Sequence, residues 1–323
     1  MTYALYGATL AFTWFVILNA TLSLLIAAIA GRVAVHTRQR HPRARARTLL
    51  SLRLLPSATS LAFVAVVFVP SYLRLEPRNF DEAFGWTTTA STIAATLLVA
   101  TACVRSVRAC WRATRRARAC VRAGHSIALP SAPLPASCID SRDAAMTLVG
   151  VLRARLLVTQ PLVDVLTPDE MQAAVAHEIA HYRAWDNLKR LAIHGSPDAL
   201  SLLAAGRRLD REWTLAAEHA ADARAAQDPG TALALASALV KIARLTPAPA
   251  FDQAPVSTLV GGDGLASRIE RLINPVPAVR RSGFAQVLRW SLGLAGVTAF
   301  AFSYLPLLGA VHSASEVLVR VLP

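Results

Sequence analysis

The sequence predicts a mainly α fold: a multi-pass membrane protein with about four transmembrane helices and a helical domain outside the bilayer that carries a short β-hairpin. Three observations predict it. The chain of 323 residues is 54% hydrophobic, with a mean hydropathy of +0.42, which is too apolar for an ordinary soluble protein. Four apolar runs each reach the ~20 residues that a spanning helix needs. Between the third and fourth runs lies a long polar stretch whose pattern is mostly helical.

The runs cover about Tyr3 to Ala30, Leu54 to Leu73, Trp86 to Val104 and Trp290 to Val311. The first has no basic segment ahead of it and exceeds the length of a cleaved signal, so it is expected to stay as an anchor. Three regions follow: a membrane region at 1–125 with three spans and basic loops, a domain at 126–285, and a last span with a short tail at 286–323.

Charge sets the expected orientation. The net charge is +14. Arg32, Arg38, Arg40, Arg43, Arg45, Arg47 and Arg53 lie between runs one and two. Arg105, Arg108, Arg112, Arg115, Arg116, Arg118 and Arg122 follow run three, and Arg280, Arg281 and Arg289 precede run four. In the second loop Arg74, Glu76, Arg78, Asp81 and Glu82 nearly balance. Positive residues stay on the cytoplasmic side, so both termini are expected outside and the 126–285 domain in the cytoplasm. Arginine runs can also bind nucleic acid. Beside membrane spans, topology and contact with anionic lipid explain them more simply, and no nucleic-acid partner is expected. Cys103, Cys110, Cys120 and Cys138 contain no Cys-x-x-Cys pair and read as structural thiols.

Within the domain, Thr147–Val151 and Ala154–Val158 read as two short strands with a tight link. A strand ahead of the next helix offers an edge to which an extended peptide could add. Thr167-Pro168-Asp169-Glu170 then opens a helix as a capping box with proline in its first turn. This helix carries His177-Glu178-Ile179-Ala180-His181. Histidines four apart share a helix face and reach one ion; Glu178, one step round, sits beside that ion as a general base for its water. The helix is expected to run to Gly195-Ser196-Pro197, with His194 at its end.

Catalytic zinc requires a third protein ligand and an open position. The alanine-rich helix Arg211 to Ala226 places Glu218 and Asp222 on one face. Glu218 is the candidate third ligand, and Asp222 can accept the outward N–H of a ligating histidine. Glu212 has no acidic residue four places later, and His219 is turned by about 100° from Glu218. His219 and Tyr182 are candidates for stabilising an oxyanion. Further helices are expected at Thr231 to Leu245 and near Leu265 to Leu272, beyond a Pro247-Ala248-Pro249 loop. Gly261-Gly262-Asp263-Gly264 lacks the lysine of a phosphate loop.

These segments resemble the BlaR/MecR-type transmembrane zinc metallopeptidases. The likeness rests on Gly150 to Thr159, on Leu166 to His181, on Asp186-Asn187, on Glu218-x-x-x-Asp222 placed 37 positions after His181, and on three spans before the domain and one after. It is strongest over Met146 to Arg224. The resemblance implies Zn2+ held by His177, His181 and Glu218, Glu178 as general base, and a cytoplasm-facing protease acting on a protein or peptide, such as a transcriptional repressor. Sensor members carry an extracellular penicillin-binding domain after the last span, so β-lactam sensing is not expected from Pro323, about a dozen residues beyond it. The related HtpX and CAAX-prenyl endopeptidases share the zinc motif and an Arg-Ile-x-x-Leu element, found here at Arg268 to Leu272. An HtpX-like quality-control protease, or a non-catalytic scaffold that keeps its metal, are the other function classes.

Overall fold

The computed structural model describes residues 3–78, 85–129, 132–141, 145–151, 153–245, 257–258, 264–275 and 283–321. Asp81, Glu82, Arg280, Arg281, the Pro247-Ala248-Pro249 loop and Gly261 to Asp263 lie outside them. The described chain is mainly helical, with a small sheet.

Among the described residues, four helices are long and apolar enough to cross a membrane: α1 (Tyr3–His36), α2 (Pro42–Leu75), α3 (Trp86–Ala123) and the last helix, whose apolar part is Leu294–Val321. Their outward faces carry large exposed apolar side chains, such as Leu24, Leu97 and Phe302, as lipid contact requires. Helix α2 passes through a π-helical turn at Val64–Phe68 just before Pro70. Proline lacks the N–H that an α-ladder would use there, and its ring crowds the preceding turn, so the ladder loosens. Tyr6, Leu10, Phe68, Tyr72 and Leu308 close one end of this bundle.

The spanning helices outrun their apolar segments. The second half of α1 and the first half of α2 pack instead on the domain, where Ile26, Ala30 and Leu49 join Leu209, Trp213 and Ala217 in one core. The polar side chains fit the same way. Asn19 donates to Pro197 O at 3.1 Å and accepts from Ala199 N at 2.9 Å, and Ser23 accepts from Leu200 N at 3.1 Å. Arg45 pairs with Glu212, and Arg53 sits between Asp198 and Asp210, 2.7 Å from each. Arg45 and Arg53 are therefore not free for the contact with anionic lipid that the sequence suggested: their acidic partners lie 145 to 167 positions downstream and bury them.

The sheet is larger than the expected hairpin. β1 (His125–Ile127), β2 (Ala136–Ile139), β3 (Met146–Val149), β4 (Arg155–Thr159) and β5 (Ser257–Thr258) order as β1-β2-β4-β3-β5. The hairpin itself is present, slightly displaced, with Met146 opposite Val158 and Val149 opposite Arg155. Gly150 makes its link at φ +92°, a conformation that side chains resist. The expected edge for a peptide is altered. β4, the strand ahead of the motif helix, is interior, because β2 runs parallel along its other side. The outer edge of β3 meets Ser257 and Thr258.

Below the sheet lie α4 (Gln160–Val165), α5 (Pro168–Ala184), α6 (Asp186–His194), a 3-10 turn at Ala199–Leu202, α7 (Ala204–Ala225), α8 (Pro229–Leu245) and α9 (Leu265–Ile273); α10 (Gly283–Val321) contains the fourth span. Met146, Leu156, Val158, Val175, Leu235 and Leu239 form the core that fixes α5 and α8 against the sheet.

Candidate metal centre

Helix α5 starts as the sequence indicates. Thr167 Oγ1 accepts from Glu170 N, and Glu170 Oε2 accepts from Thr167 N at 2.8 Å. Glu170 also accepts from Ser237 at 2.6 Å and pairs with Lys241 at 2.7 Å, which ties the first turn to α8. Burial would raise its pKa, but these partners hold it down to about 2.

The end of α5 differs from expectation. The helix does not run to Gly195; it breaks at Trp185, which takes a left-handed conformation at φ 59°. This costs a bulky residue roughly 1–2 kcal/mol. The break has a geometric use. In a continuous helix a residue five places on points about 140° away. After the break, Asp186 turns back and its Oδ2 lies 2.8 Å from His181 Nδ1. Asn187 donates to Leu148 O at 3.1 Å and Gly150 O at 2.8 Å, so α6 is anchored to the end of β3.

Helix α7 brings Glu218 to the motif. His177 Nε2 and His181 Nε2 lie 3.1 Å apart. Glu218 Oε2 is 3.4 Å from the first and Oε1 is 3.5 Å from the second. Tetrahedral ligands at the usual ~2.0–2.1 Å from zinc stand roughly 3.3–3.4 Å apart, so the donors are spaced as one such ion needs. The proton positions agree. Asp186 faces Nδ1 of His181, and Asp222 Oδ1 faces Nδ1 of His177 at 2.9 Å, though without the angle of a hydrogen bond. With both Nδ1 protons turned to carboxylates, both Nε2 lone pairs converge on one point. Glu178 lies beside that point, wholly buried, with neither carboxylate oxygen hydrogen-bonded among the described residues. An orphaned buried carboxylate is costly unless an external group meets it. His177, His181 and Glu218 are thus able to hold a metal ion.

The field of the site points the same way. Burial pushes the Glu178 carboxyl up, and Glu218 adds to this against the two histidines, leaving it at about 7. Burial would lower both histidines, yet Glu218 and Asp186 hold His181 up at about 10, and Asp222 and Glu218 raise His177. Glu218 is itself held well below the usual carboxylate range, since the histidines and Arg268 overcome its burial. A pocket whose carboxylates favour positive charge on the imidazoles favours a cation for the same reason.

Two arginines at the centre were missed by sequence reasoning. Arg268 of α9, noted only as part of a family element, holds Asp222 through two donors at 2.8 and 2.7 Å and reaches within 3.4 Å of Glu218. Arg190 of α6 donates to Glu218 Oε1 at 3.3 Å and stacks over Trp213. Nothing in local spacing singles out either residue. The rival ligands are engaged elsewhere. Glu212 pairs with Arg45 and Arg38, and His219 lies against Ser267; His194 ends α6, a helix end as expected. Of the oxyanion candidates, His219 is buried with Nε2 3.2 Å from Ser267 Oγ, and burial lowers its pKa to about 4, while Tyr182 is exposed. The four cysteines are free thiols.

Residues 111–253 match the family described as Peptidase family M48. The matched stretch includes His177, Glu178, His181, Glu218 and Asp222 and stops short of Arg268. With four apolar helices around it, the match supports a membrane-associated metallopeptidase. No curated protein matches the chain.

Proposed function

We propose that this chain is a membrane-bound zinc endopeptidase. Its ligands would be His177, His181 and Glu218, its general base Glu178, and its substrate a peptide bond of a cytoplasmic or membrane-associated protein. One observation carries the reading: two imidazoles and a carboxylate converge at ligand spacing beside a buried, unpartnered glutamate.

Zinc, when bound there, would acidify a water molecule and polarise the scissile carbonyl. The residues supply the rest. Asp186 and Asp222 keep the Nδ1 protons of His181 and His177 and fix the rings. Arg268 holds Asp222 in place and, with Arg190, fixes Glu218. Glu178, buried beside the point where the three ligands converge and without a hydrogen-bond partner among the described residues, would take the proton of the attacking water and return it to the leaving nitrogen. A carboxylate in this role contributes roughly 10²–10⁴-fold in rate.

The arginine asymmetry around the spans supports an orientation with both termini outside and the site cytoplasmic. A transcriptional repressor is the substrate class that the BlaR/MecR-like layout favours; broad quality-control proteolysis would use the same chemistry with looser selection. The test is Glu178→Gln. It keeps size and cannot accept a proton at neutral pH, so we expect zinc content to be retained and cleavage to fall by two orders of magnitude or more. Substrates trapped by that variant then distinguish one repressor from many membrane proteins. Retained cleavage in Glu178→Gln, or full zinc content in His177→Ala, would end the reading.

A further inference from the structure

Behind the metal centre, on the opposite face of α5 and α7, lies a cavity of about 460 Å³. Its floor is apolar, formed by Val175, Ile179 and Ala180, and its rim carries Arg43, Arg183 and Arg224. The three arginines come from three elements: Arg43 from the start of α2, Arg183 two positions after His181, and Arg224 two positions after Asp222. The deeply buried arginines of this fold, Arg45, Arg53 and Arg268, are neutralised, as is the half-buried Arg190, whereas Arg43 and Arg183 lie exposed at the cavity mouth. Arg45 has Glu212, Arg53 has Asp198 and Asp210, Arg190 has Glu218, and Arg268 has Asp222. Among the described residues no carboxylate pairs with Arg43, Arg183 or Arg224. Arg224 donates once, to Ala180 O at 3.2 Å, and so keeps most of its five donors free. Like charges brought to one cavity by three elements repel, more weakly where solvent screens them, and an anion seated between them would relieve that repulsion.

We propose that this cavity binds a phosphomonoester, its phosphate among the three guanidinium groups and its organic body on the Val175–Ile179–Ala180 floor. Guanidinium forks match phosphate oxygens in pairs. The cavity is larger than a bare phosphate and half apolar, which selects an organic ester over the inorganic ion. The ligand would bridge the membrane hairpin α1–α2 to the two helices that carry His181 and Glu218. It is an effector site and not part of the metal centre. Its source is either a free metabolite or a phospholipid headgroup.

The experiment uses the full chain purified in neutral detergent. Phenyl phosphate binding is followed by calorimetry and by the shift in melting temperature. A parallel arm places the protein in lipid discs with and without phosphatidic acid. We expect saturable binding of phenyl phosphate in detergent, or stabilisation by phosphatidic acid alone; the first assigns a soluble source and the second a lipid one. In either arm Arg43→Ser and Arg183→Ser, at exposed positions, should weaken the effect about tenfold or more. Arg320→Ser, which removes one charge from an exposed distant site, should leave it unchanged. The proposal falls if neither probe acts, if Arg43→Ser and Arg183→Ser bind as the parent does, or if Arg320→Ser weakens binding equally. Zinc content is measured on the same samples, so a failed metal centre and a failed anion site give separate results.

Discussion

The first half of α2 and the second half of α3 look alike in sequence and behave differently in the fold. Each is an arginine-rich extension of an apolar span. In α2, Arg45 and Arg53 are nearly inaccessible and each meets a carboxylate of the half of the chain that carries the candidate metal centre. In α3, Arg108, Arg112, Arg115, Arg118 and Arg122 are exposed, and Arg115 merely lies over the ring of Trp111 at 5.1 Å. Among the described side chains of this stretch, Arg105 is the arginine that reaches across, donating to Ser196 O at 3.2 Å. One stretch of positive charge is a joint and the other a solvated face. Composition cannot separate them, because the acids that decide the matter, Asp198, Asp210 and Glu212, are remote in sequence and reach α2 only through the packing of α7.

The largest effect is therefore expected in α2. Arg53→Ala leaves Asp198, which is fully buried, without its cation. Breaking a buried pair from one side costs about 3–5 kcal/mol. Denaturation in micelles should show this loss, and zinc affinity should drop with it because the joint adjoins the turn that leads into α7. Restoring hydrophobic packing with Arg53→Met and Asp198→Leu together should recover most of it. If Arg53→Ala proved neutral, the two arginine stretches would be the same after all.

This contrast also marks what could be read without coordinates. The capping box, the His-Glu-x-x-His face and the Glu218–Asp222 pair are local helix patterns, and the fold brings His177, His181 and Glu218 together at 3.1–3.5 Å. Local rules did not reach Trp185. A tryptophan in left-handed geometry has no propensity signal, and the reason for the break, Asp186 turning back to His181, is tertiary. Strands β1 and β2 were too short to stand out. Arg268 arrives from α9 across 46 positions to grip Asp222. Charge pairing over such separations is a property of packing.

A smaller effect sharpens the comparison inside the domain. Glu170 is a paired acid like Asp198, but Lys241 is its cation and is one-third exposed. Glu170→Gln should cost about 1–3 kcal/mol at neutral pH, from the cap and the charged hydrogen bonds. Its pKa is depressed to about 2 in the fold, so its stabilisation is complete above the unfolded value near 4.5. It is lost as pH falls through the folded value. The stability gap between parent and Glu170→Gln should accordingly shrink between about pH 4.5 and 2. A gap that stayed constant down to pH 3 would mean the carboxylate charge contributes nothing.

The smallest stability effect belongs to α3. Arg112→Ala removes an exposed side chain with no carboxylate partner among the described residues, so stability should move by no more than about 0.5 kcal/mol. Its role should emerge only in number and only during insertion. Arginines within about 15–20 residues of a span end bias which side stays cytoplasmic. Replacing Arg108, Arg112, Arg115 and Arg118 together by serine should leave the folded fraction equally stable yet yield a mixed population of orientations. Labelling a cysteine placed at Arg122 from each side of intact membranes measures that mixture. Arg45 and Arg53 supply the control, since neutralising them should reduce the yield of folded protein rather than invert it. Uniform orientation of the four-serine variant would assign the topology to α2 and leave α3 as surface charge.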